Sequence, residues 1–396
     1  MNKLDLLKKY YGYDDFKYPQ ETIIDSVLNG NDTIALLPTG FGKSVTFQIP
    51  ALLLDGLTIV ISPLIALMED QVKHLKEKNI LAEYLNSLLP VSKQKEIYSK
   101  LENLKLLYVS PERLLNLFFI DQIKKVNVSL IAVDEAHTIL WAEGFRDAFA
   151  HIYKFINLFP KRPVLLALTA TATNQTVEKI KDYLKLKNAF LISYGMDRPN
   201  IYYRVVKVKD KIKFIVDFIL KNSFQKGVIY CLTRAKVEEL SKRLLRLGIK
   251  NTYYHGGLDT DLKILNSELF SSGTIPLMIC TNAYGMGIDI PDIRFVIHFQ
   301  LPNSLEDLAQ QMGRAARDGK NAVGIVLFSF DDLKINRYFI ESANVSKKIQ
   351  KEQYQKLNQV VDYCLTKKCR HQFLADYFNQ HIDICKKNCD NCIKKE

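Results

Sequence analysis

Short apolar runs rich in β-branched residues alternate with amphipathic helical stretches over residues 32–330. Such alternation is typical of parallel sheets whose strands are joined by crossover helices. The candidate strands are, in order, DTIALL, LTIVIS, KLLYVS, SLIAVDE, PVLLALTA, KGVIYC, PLMICT, RFVIHF and AVGIVLFS. Between the fifth and the sixth, residues 196–211 contain Pro199 and show no helical period, which predicts a linker. The sequence therefore predicts an α/β chain with two parallel-sheet domains, followed from about Glu341 by a small helical region.

The composition is that of a soluble globular protein, with 396 residues, 47% hydrophobic and 25% charged. Lys+Arg 55 against Asp+Glu 43 gives a net charge of +12, which suits a polyanionic partner without requiring one. The start, MNKLDLLKKYYGYDD, has no apolar core of signal-peptide length, and the longest apolar stretch is interrupted by Asp55, Gly56 and Pro63. We therefore expect a cytoplasmic protein that does not enter a membrane.

The segment LLPTGFGKSVTF follows a candidate strand and precedes a helical run. In such a turn Gly40 and Gly42 bring backbone N–H groups against phosphates, Lys43 reaches the β- and γ-phosphates, and Ser44 binds Mg²⁺. Leu37 occupies the place of the first glycine of the G-x-x-x-x-G-K-[ST] pattern. The alternative is a chance glycine-rich turn, which the strand–loop–helix context disfavours. The predicted cofactors are ATP and Mg²⁺.

Two carboxylates, Asp134 and Glu135, stand at the end of the candidate strand SLIAVDE. An acid in this place holds Mg²⁺, and its neighbour polarises the attacking water. Alone, the DEAH tetrapeptide could be a helix N-cap. The phosphate-binding turn upstream favours the catalytic interpretation.

Two arginines, Arg314 and Arg317, lie within the segment QQMGRAARDG of the second half. They are three residues apart and share one face of a helix if the segment is helical. Because the second half has no phosphate-binding turn of its own, its arginines are natural suppliers of positive charge to ATP. The alternative is a solvated basic face.

Taken in order, the motifs resemble those of the superfamily 2 helicases, specifically the RecQ family of DNA helicases. The matching segments are YGYDDFKYPQ, ISPLIALMEDQV, VSPER, DEAH, ALTATA, DRPNI, GVIYCLTRAKVEEL, YYHGGL, YGMGIDIPDIRFVIH and GRAARDG. The resemblance implies two RecA-like domains, residues 1–200 and 201–340, and a helical zinc-binding subdomain, residues 341–396. It also implies an ATP-driven motor that moves 3′→5′ on single-stranded DNA and unwinds duplexes in DNA repair and recombination.

The resemblance assigns roles to individual residues. Tyr13 would stack on adenine while Gln20 and Lys17 read its edge, although the family usually carries arginine at the position of Lys17. Other departures from the family are Phe41, Gln311 in place of Glu, and Ala316 in place of Gly. The remaining nucleotide-binding candidates are Thr39, Gly40, Gly42, Lys43, Ser44, Gly287 and Asp289. The catalytic candidates are Lys43, Asp134, Glu135, Arg314 and Arg317, with Ser44 and Asp134 as magnesium ligands.

A segment with aromatic residues, TILWAEGFRDAF, follows DEAH, and in the family an aromatic-rich loop at this place senses single-stranded DNA. Trp141 is the only tryptophan of the chain, and stacking of a base on an aromatic side chain contributes ~1–3 kcal/mol whatever the base. The alternative is that Trp141 belongs to the core. The residues expected to couple DNA binding to ATP hydrolysis are His137, Trp141, Phe145 and Arg146.

The cysteines cluster near the end of the chain, which favours a metal site over disulfides in a reducing compartment. Members of the family have zinc ligands spaced C-x₁₆-C-x₂-C-x₂-C or close to it. By that resemblance the ligands are Cys369, Cys385, Cys389 and Cys392, spaced C-x₁₅-C-x₃-C-x₂-C. The alternatives are Cys364, His371 and His381. Four thiolates select zinc and leave no ligand position open for water, so a structural role is expected.

Three functions are open at this point: a DNA helicase, an RNA helicase, and a non-motor DNA-binding scaffold with a decayed ATPase. The aromatic loop and the cysteines argue against an RNA helicase. Intact Lys43, Asp134, Glu135 and Arg317 argue against a scaffold. The expected partners are single-stranded and tailed duplex DNA together with single-strand-binding and repair proteins, and the chain is expected to be a monomer.

Many RecQ-type helicases continue beyond the zinc-binding subdomain into a winged-helix domain and a small helical DNA-binding domain. The sequence stops at Glu396, four residues after Cys392. We therefore expect strong DNA-stimulated ATPase activity with weaker unwinding that depends on a 3′ single-stranded tail.

Overall fold

The computed structural model describes residues 1–38, 40–63, 65–86, 88–138, 151–170, 172–186, 188–195, 197–222, 225–284 and 290–393. It divides into two units, Met1–Gly195 and Met196–Glu396. Each unit is built on one sheet of parallel strands with helices between them, which confirms the predicted fold class. None of the described helices combines the length and the apolar character needed to cross a membrane.

The first unit contains a seven-stranded sheet in the order β3-β4-β2-β5-β6-β1-β7. Its strands are β1 Thr33–Leu36, β2 Leu57–Ile61, β3 Ala82–Leu85, β4 Leu106–Val109, β5 Val128–Val133, β6 Val164–Thr169 and β7 Phe190–Ser193. Its helices are α1 Lys3–Tyr11, α2 Gln20–Leu28, α3 Val45–Leu53, α4 Ile65–Glu77, α5 Val91–Tyr98, α6 Leu117–Ile123, α7 Ile152–Ile156 and α8 Asn174–Leu184, with 3₁₀ turns at Leu101–Asn103 and Pro111–Leu115. All of its strand pairs are parallel.

The inner strands of this sheet are short and mostly apolar because both of their faces are covered. Along β1, Ile34 and Leu36 pack into one core cluster, whereas Ala35 and Leu37 pack into the cluster on the opposite face. This two-sided burial explains the continuous apolar runs that the sequence shows at these places.

The order β5-β6-β1 brings three strand ends side by side. Because parallel strands have their carboxyl ends at the same edge of a sheet, the residues that follow β5, β6 and β1 share one crevice. The backbone N–H of Leu37, just after β1, donates to the carbonyl oxygen of Thr169 at the end of β6 over 3.0 Å. The turn with the candidate phosphate ligands and the DEAH residues are thereby placed together.

The second unit contains a six-stranded sheet in the order β10-β11-β9-β12-β13-β8. Its strands are β8 Ile201–Lys207, β9 Gly227–Tyr230, β10 Thr252–Tyr254, β11 Leu277–Cys280, β12 Phe295–His298 and β13 Ala322–Phe328. Its helices are α9 Lys211–Lys221, α10 Arg234–Arg246, α11 Thr260–Ser271, α12 Leu305–Met312, α13 Asp332–Ser342, α14 Lys347–Leu365, α15 Arg370–Tyr377 and α16 Asp390–Ile393. Its strand pairs are also parallel.

The prediction of a linker over residues 196–211 is wrong for its central part. Residues Ile201–Lys207 form β8, which pairs along its whole length with β13. As an edge strand it is only partly covered: Ile201 and Tyr203 are buried in the core, and the other residues are half-buried or exposed. Pairing with β13, which the sequence does not reveal, converts this polar and aromatic segment into a strand.

The C-terminal helices share a core with the second sheet. Cys369, Cys389 and Cys392 belong to the same cluster of buried side chains as Tyr203 and Val326. Residues 341–396 therefore lie within the second unit, and their separation as a subdomain at residue 341 stays a prediction.

Substitution of Gly227 by alanine should destabilise the second unit. A Cβ at Gly227 would lie 2.0 Å from the ring of Phe295, so the ring or strand β9 would have to move. Overpacking of this kind costs about 1–3 kcal/mol in the free energy of unfolding, which urea unfolding would measure. Gly256→Ala is the control, because its Cβ would meet no atom closer than 3.6 Å. Equal stabilities of the two variants would contradict this prediction.

Candidate functional site

The candidate phosphate-binding turn begins where β1 ends. Gly40 and Gly42 have φ values of 77° and 78°, in the left-handed region that favours glycine. At Gly42 a side chain is also excluded by space, because a Cβ would lie 2.6 Å from Nε2 of Gln20. Thr39 lies outside the described residues. Helix α3 follows from Val45, so the turn leads directly into a helix N-terminus, where backbone N–H groups attract anions.

Lys43 lies next to the acidic pair. Its Nζ is 3.1 Å from Oε1 of Glu135, and both side chains are largely buried. Ser44 directly precedes α3 on the same turn. The structure therefore brings the predicted phosphate ligand and a predicted catalytic carboxylate into direct contact.

Asp134 and Glu135 follow β5 in an unusual backbone conformation. Glu135 has a φ of 48°, in the left-handed region that costs a residue with a side chain about 1–2 kcal/mol. Its backbone N–H donates to Oδ1 of Asp134 over 2.9 Å. Local strain of this kind is found preferentially at functional sites, where the surroundings enforce it.

Asp134 does not ionise freely. Burial, and after it the charge of Glu135, raise the pKa of Asp134 to about 6. The charge of Lys43 and the N–H of Glu135 act in the opposite direction. A divalent cation at Asp134 would favour the ionised form and relieve this repulsion, so the carboxylate environment fits Mg²⁺.

His137 links the acidic pair to the neighbouring strand. Its Nδ1 lies 2.9 Å from Oγ1 of Thr169, at the end of β6, and 3.4 Å from Oε2 of Glu135. The structure thus places one of the four predicted DNA-coupling residues beside the catalytic candidates. The other three, Trp141, Phe145 and Arg146, lie outside the described residues.

Gln20 contacts the phosphate-binding turn. Its Nε2 donates to the carbonyl oxygens of Phe41 and Gly42, over 3.0 and 3.2 Å, and its Oε1 accepts from the backbone N–H of Lys17. Gln20 is only 5% exposed, whereas Tyr13 is 56% exposed. The motif predicts that Gln20 recognises the base. It does not predict that the same side chain hydrogen-bonds both Lys17 and the phosphate-binding turn.

The segment with Arg314 and Arg317 is not helical, so the condition for a shared helix face is not met. Helix α12 ends at Met312, and both arginines lie in the turn that follows. Ala316 stands at a position where the family usually has glycine, and its φ of 53° lies in the left-handed region that favours glycine. Arg314 is buried. Gly313 is the C-cap residue of α12, and Arg198 donates to the carbonyl oxygens of Gly313, Ala315 and Ala316 in the turn. Gly287 and Asp289 lie outside the described residues.

The four predicted zinc ligands come together. The Sγ atoms of Cys369, Cys385, Cys389 and Cys392 all lie within 4.8 Å of one another. Backbone N–H groups reach two of the sulfurs: Cys385 donates to Sγ of Cys369 over 3.3 Å, and Arg370 donates to Sγ of Cys389 over 3.5 Å. Burial raises the pKa of Cys385 and of Cys392, whereas in Cys369 the N–H donors outweigh burial and lower the pKa to about 7. Four sulfurs in this arrangement fit a tetrahedral zinc ion.

The alternative ligands are engaged or remote. His371 uses both ring nitrogens, Nδ1 toward Oδ1 of Asp197 at 2.6 Å and Nε2 toward the carbonyl oxygen of Asn388 at 3.0 Å. The side chain of His381 is 98% exposed. Cys364 is buried outside the cluster.

Two residues that the motifs do not indicate anchor the cysteine cluster. Arg370 forms a buried ion pair with Asp390, and its Nη1 donates to the carbonyl oxygen of Tyr363 over 2.6 Å. Oδ2 of Asp390 also accepts from the backbone N–H of Val205 on β8 over 3.1 Å. The cluster is therefore fastened to the second sheet through its side chains and backbone.

Three family models match successive parts of the chain. Their descriptions are DEAD/DEAH box helicase over residues 17–180, helicase conserved C-terminal domain over residues 210–319, and RecQ zinc-binding over residues 330–393. Together they cover the phosphate-binding turn, the arginine-containing turn and the cysteine cluster.

Two curated relatives extend this similarity. The ATP-dependent DNA helicase RecQ of Bacillus subtilis (strain 168) is 39% identical over 394 residues, which cover 98% of this chain and 66% of the relative. The probable ATP-dependent DNA helicase RecS of the same organism is 39% identical over 355 residues, which cover 87% of this chain and 71% of the relative. The chain thus spans just under two thirds of the length of that RecQ protein.

Among solved structures, S. cerevisiae Dbp5 bound to RNA and ADP BeF3 superposes with a TM-score of 0.69 and 18% identity. The match covers 89% of this chain and 97% of that chain. At this identity the likeness shows a shared fold.

Substitution of Asp134 by asparagine should stabilise the ligand-free protein at neutral and alkaline pH. The rise of the Asp134 pKa from 3.8 to about 6 corresponds to about 3 kcal/mol. Because the folded state favours the protonated acid, this stability is present at low pH and is lost as the pH rises through about 6. Asparagine stays neutral at every pH. The free energy of unfolding of the variant should therefore exceed that of the parent by about 3 kcal/mol at pH 8 and by about half as much at pH 5.

Urea unfolding at the two pH values measures this difference, with the exposed Asp121→Asn as control. A variant less stable than the parent at pH 8 would show that ionised Asp134 is well accommodated.

Substitution of Cys389 by serine should release zinc and unfold the last helices. Structural zinc contributes on the order of 10 kcal/mol to folding a small metal site. Metal analysis of the purified chain provides the measurement, and Cys364→Ser is the matched control because Cys364 is buried outside the cluster. If Cys389→Ser kept a tightly bound zinc, or if Cys364→Ser lost it, the ligand set would be wrong.

Proposed function

Because this chain belongs to the RecQ family of helicases, we propose that it is an ATP-dependent DNA helicase that moves 3′→5′ on single-stranded DNA and unwinds tailed duplexes. The observation that carries the proposal is the contact between Lys43 and Glu135, which joins a phosphate-binding turn to a catalytic acid at the edge of one sheet. The family's role in DNA repair and recombination extends to this chain as part of the proposal.

The first unit binds ATP and prepares the attacking water. Gly40, Gly42 and Lys43 bind the phosphates, and Ser44 and Asp134 hold Mg²⁺. When bound, Mg²⁺ stabilises the charge that develops on the transferred phosphate. Since Nζ of Lys43 lies 3.1 Å from Glu135, a bound phosphate competes with Glu135 for Lys43. The carboxylate that is released then orients the water and accepts its proton.

The adenine end of ATP has its own ligands. Exposed Tyr13 stacks on the base while Gln20 and Lys17 recognise its edge. Because Gln20 also donates to the carbonyl oxygens of Phe41 and Gly42, base recognition reaches the phosphate-binding turn through one side chain. Because Gln20 and Lys17 recognise the edge of adenine, we expect nucleotides that contain guanine or cytosine to bind less tightly than ATP.

The second unit contributes positive charge, and the segment proposed to respond to DNA belongs to the first unit. Arg317 stabilises the transferring phosphate, with Arg314 as the next candidate for this role, and Gly287 and Asp289 assist nucleotide binding. His137, which contacts Thr169, begins the segment with Trp141, Phe145 and Arg146 that responds to single-stranded DNA. Stacking of bases on an aromatic side chain is independent of sequence, as a motor requires.

The cysteine cluster holds zinc in a structural role. The proposed partners are single-stranded and tailed duplex DNA, with single-strand-binding and repair proteins acting on the same substrates. We propose a monomer that works in the cytoplasm. The net charge of +12 supports a polyanionic partner.

The test is a comparison of ATP hydrolysis with single-stranded DNA, with RNA and without nucleic acid, together with unwinding of 3′-tailed and 5′-tailed duplexes. We expect hydrolysis to be stimulated by DNA more than by RNA, and unwinding of the 3′-tailed duplex only. Stimulation by RNA alone would identify an RNA helicase, and hydrolysis that ignores DNA would refute the proposed motor.

Two substitutions test the assigned roles in the same assay. Lys43→Ala should abolish hydrolysis and spare DNA binding. Arg317→Ala should lower kcat by ~10³–10⁵, with the KM for ATP changed only a few-fold, since an arginine finger acts mainly on transition-state charge. Arg337→Ala, at an exposed arginine of α13, is the control. Normal turnover by Arg317→Ala would remove Arg317 from the site.

A further inference from the structure

A short segment of the second unit lies between the cysteine cluster and the turn that carries Arg314 and Arg317. This segment, residues 197–201, has the sequence DRPNI and is called the strap. The arginine turn comprises residues 313–319, and the cysteine loop comprises residues 385–392. All three segments belong to the same unit, so their contacts are internal to it.

The strap holds the arginine turn through its backbone carbonyl groups. Arg198 donates from Nη1 to Gly313 over 2.8 Å, and from Nη2 to Ala315 and Ala316 over 2.9 and 3.0 Å. Asn200 adds a bond from Nδ2 to the same oxygen of Ala316 over 3.0 Å. The donors of a planar guanidinium have a fixed geometry. The bonds from Arg198 therefore fix the conformation of the turn as well as its distance from the strap.

The cysteine loop holds the strap in turn. Nδ2 of Asn388 donates to the carbonyl oxygens of Pro199 and Ile201, over 2.6 and 3.0 Å. The carbonyl oxygen of Asn388 accepts from the backbone N–H of Tyr203, just after the strap, over 3.2 Å. These bonds engage the strap on both sides of Asn200.

A buried histidine completes the attachment. His371 contacts Asp197 of the strap through Nδ1 and the carbonyl oxygen of Asn388 through Nε2. Its ring lies against that of Tyr203, with the ring centroids 4.4 Å apart. The first residue of the strap and the cysteine loop are therefore fixed to the same side chain.

The arginine turn has backbone amides that report on its order. Ala316 donates to Ile293 over 2.9 Å, Asp318 to Pro291 over 3.2 Å and Ala315 to Met312 over 3.1 Å. Ala316 also has a φ of 53°, which a residue with a side chain adopts only when its surroundings enforce it. The bonds that Arg198 and Asn200 of the strap donate to the carbonyl oxygen of Ala316 enforce this conformation.

We propose that the strap positions the arginine turn for ATP hydrolysis, with Arg198 and Asn388 as positioning residues that connect the cysteine loop to Arg314 and Arg317. Both act through backbone carbonyl oxygens, Arg198 on those of the turn and Asn388 on those of the strap. This inference rests on the proposed ATPase function for its effect on rate, but the order of the turn is independent of that function. The cysteine cluster thereby has a catalytic consequence in addition to its structural one.

The expected size of the effect follows from geometry. Misplacement of a catalytic group by about 1 Å can lower a rate by ~10²-fold. Loss of the two bonds from Asn388 loosens the strap while Arg198 still holds the turn, so we expect kcat to fall by about tenfold, less than that limit. The KM for ATP should change less than about twofold, because an arginine of this kind acts on the transition state.

The chain offers a closely matched control for Asn388. Asn391 lies three residues further on, and its Nδ2 also donates to two backbone carbonyl oxygens, those of Thr366 and Lys368, over 2.9 and 2.8 Å. Neither of these oxygens belongs to the strap. Asn388→Ala and Asn391→Ala therefore remove the same chemistry from neighbouring places and differ in whether the strap is touched.

The experiment compares the two variants in full-length chains that contain zinc. Asn388→Ala should lower the DNA-stimulated kcat about tenfold and speed amide hydrogen exchange over residues 314–319, whereas Asn391→Ala should change neither. Metal analysis should give the same zinc content for both, which separates the strap from loss of the metal. Equal kcat values, or unchanged exchange in the arginine turn, would overturn the inference.

Two further variants sharpen the result. In an Arg317→Ala background Asn388→Ala should lower kcat less than it does in the parent chain, because the part of its effect that acts through Arg317 is already lost; independent, multiplying effects would overturn the inference. Arg198→Lys keeps one charge but loses the fork, and should reproduce the faster exchange of the turn if Asn388→Ala fails to fold. If the parent chain shows no DNA-stimulated hydrolysis, the proposed function fails, and hydrogen exchange alone decides whether the strap orders the turn.

Discussion

Parallel pairing of β5, β6 and β1 is the constraint on which the candidate ATPase site depends. Because all three strands end at the same edge, residues separated by more than a hundred positions meet there. Lys43 follows β1, Glu135 follows β5 and Thr169 ends β6, and direct contacts connect them through His137. Any change in the strand order would separate these groups, whatever their spacing in the sequence.

The two carboxylates of this site repel one another. Burial places two adjacent carboxylates, Asp134 and Glu135, beside one lysine, and the pKa of Asp134 rises to about 6 as a result. Groups whose pKa is displaced by burial and a specific neighbour are concentrated at functional sites. The left-handed backbone of Glu135 is a second cost at the same place. A nucleotide with a divalent cation would relieve the first of these, which couples binding to the order of the site.

The cysteine loop covers the edge strand β8 of the second sheet. An edge strand exposes unpaired backbone groups that must be covered. On β8, the backbone N–H groups of Tyr203 and Val205 donate to Asn388 and Asp390 of the cysteine loop, so the loop closes the sheet. The same loop engages the strap that precedes β8. Closure of the sheet and order of the arginine turn are thereby two results of one attachment.

The sequence by itself determined the inner strands, the phosphate-binding turn, the acidic pair and the four cysteines. Each of these is encoded locally: an inner strand by an apolar run buried on both faces, and a ligand set by residue type and spacing. The strands that the sequence did not reveal, Ala82–Leu85, Phe190–Ser193, Ile201–Lys207 and Thr252–Tyr254, all lie at the edges of the two described sheets. An edge strand buries less of its surface, so its pattern is weak and its partner decides its conformation. The hydrogen bonds of Gln20 to the phosphate-binding turn and those of the strap likewise join side chains to the backbone of distant segments, and only the tertiary structure could decide them.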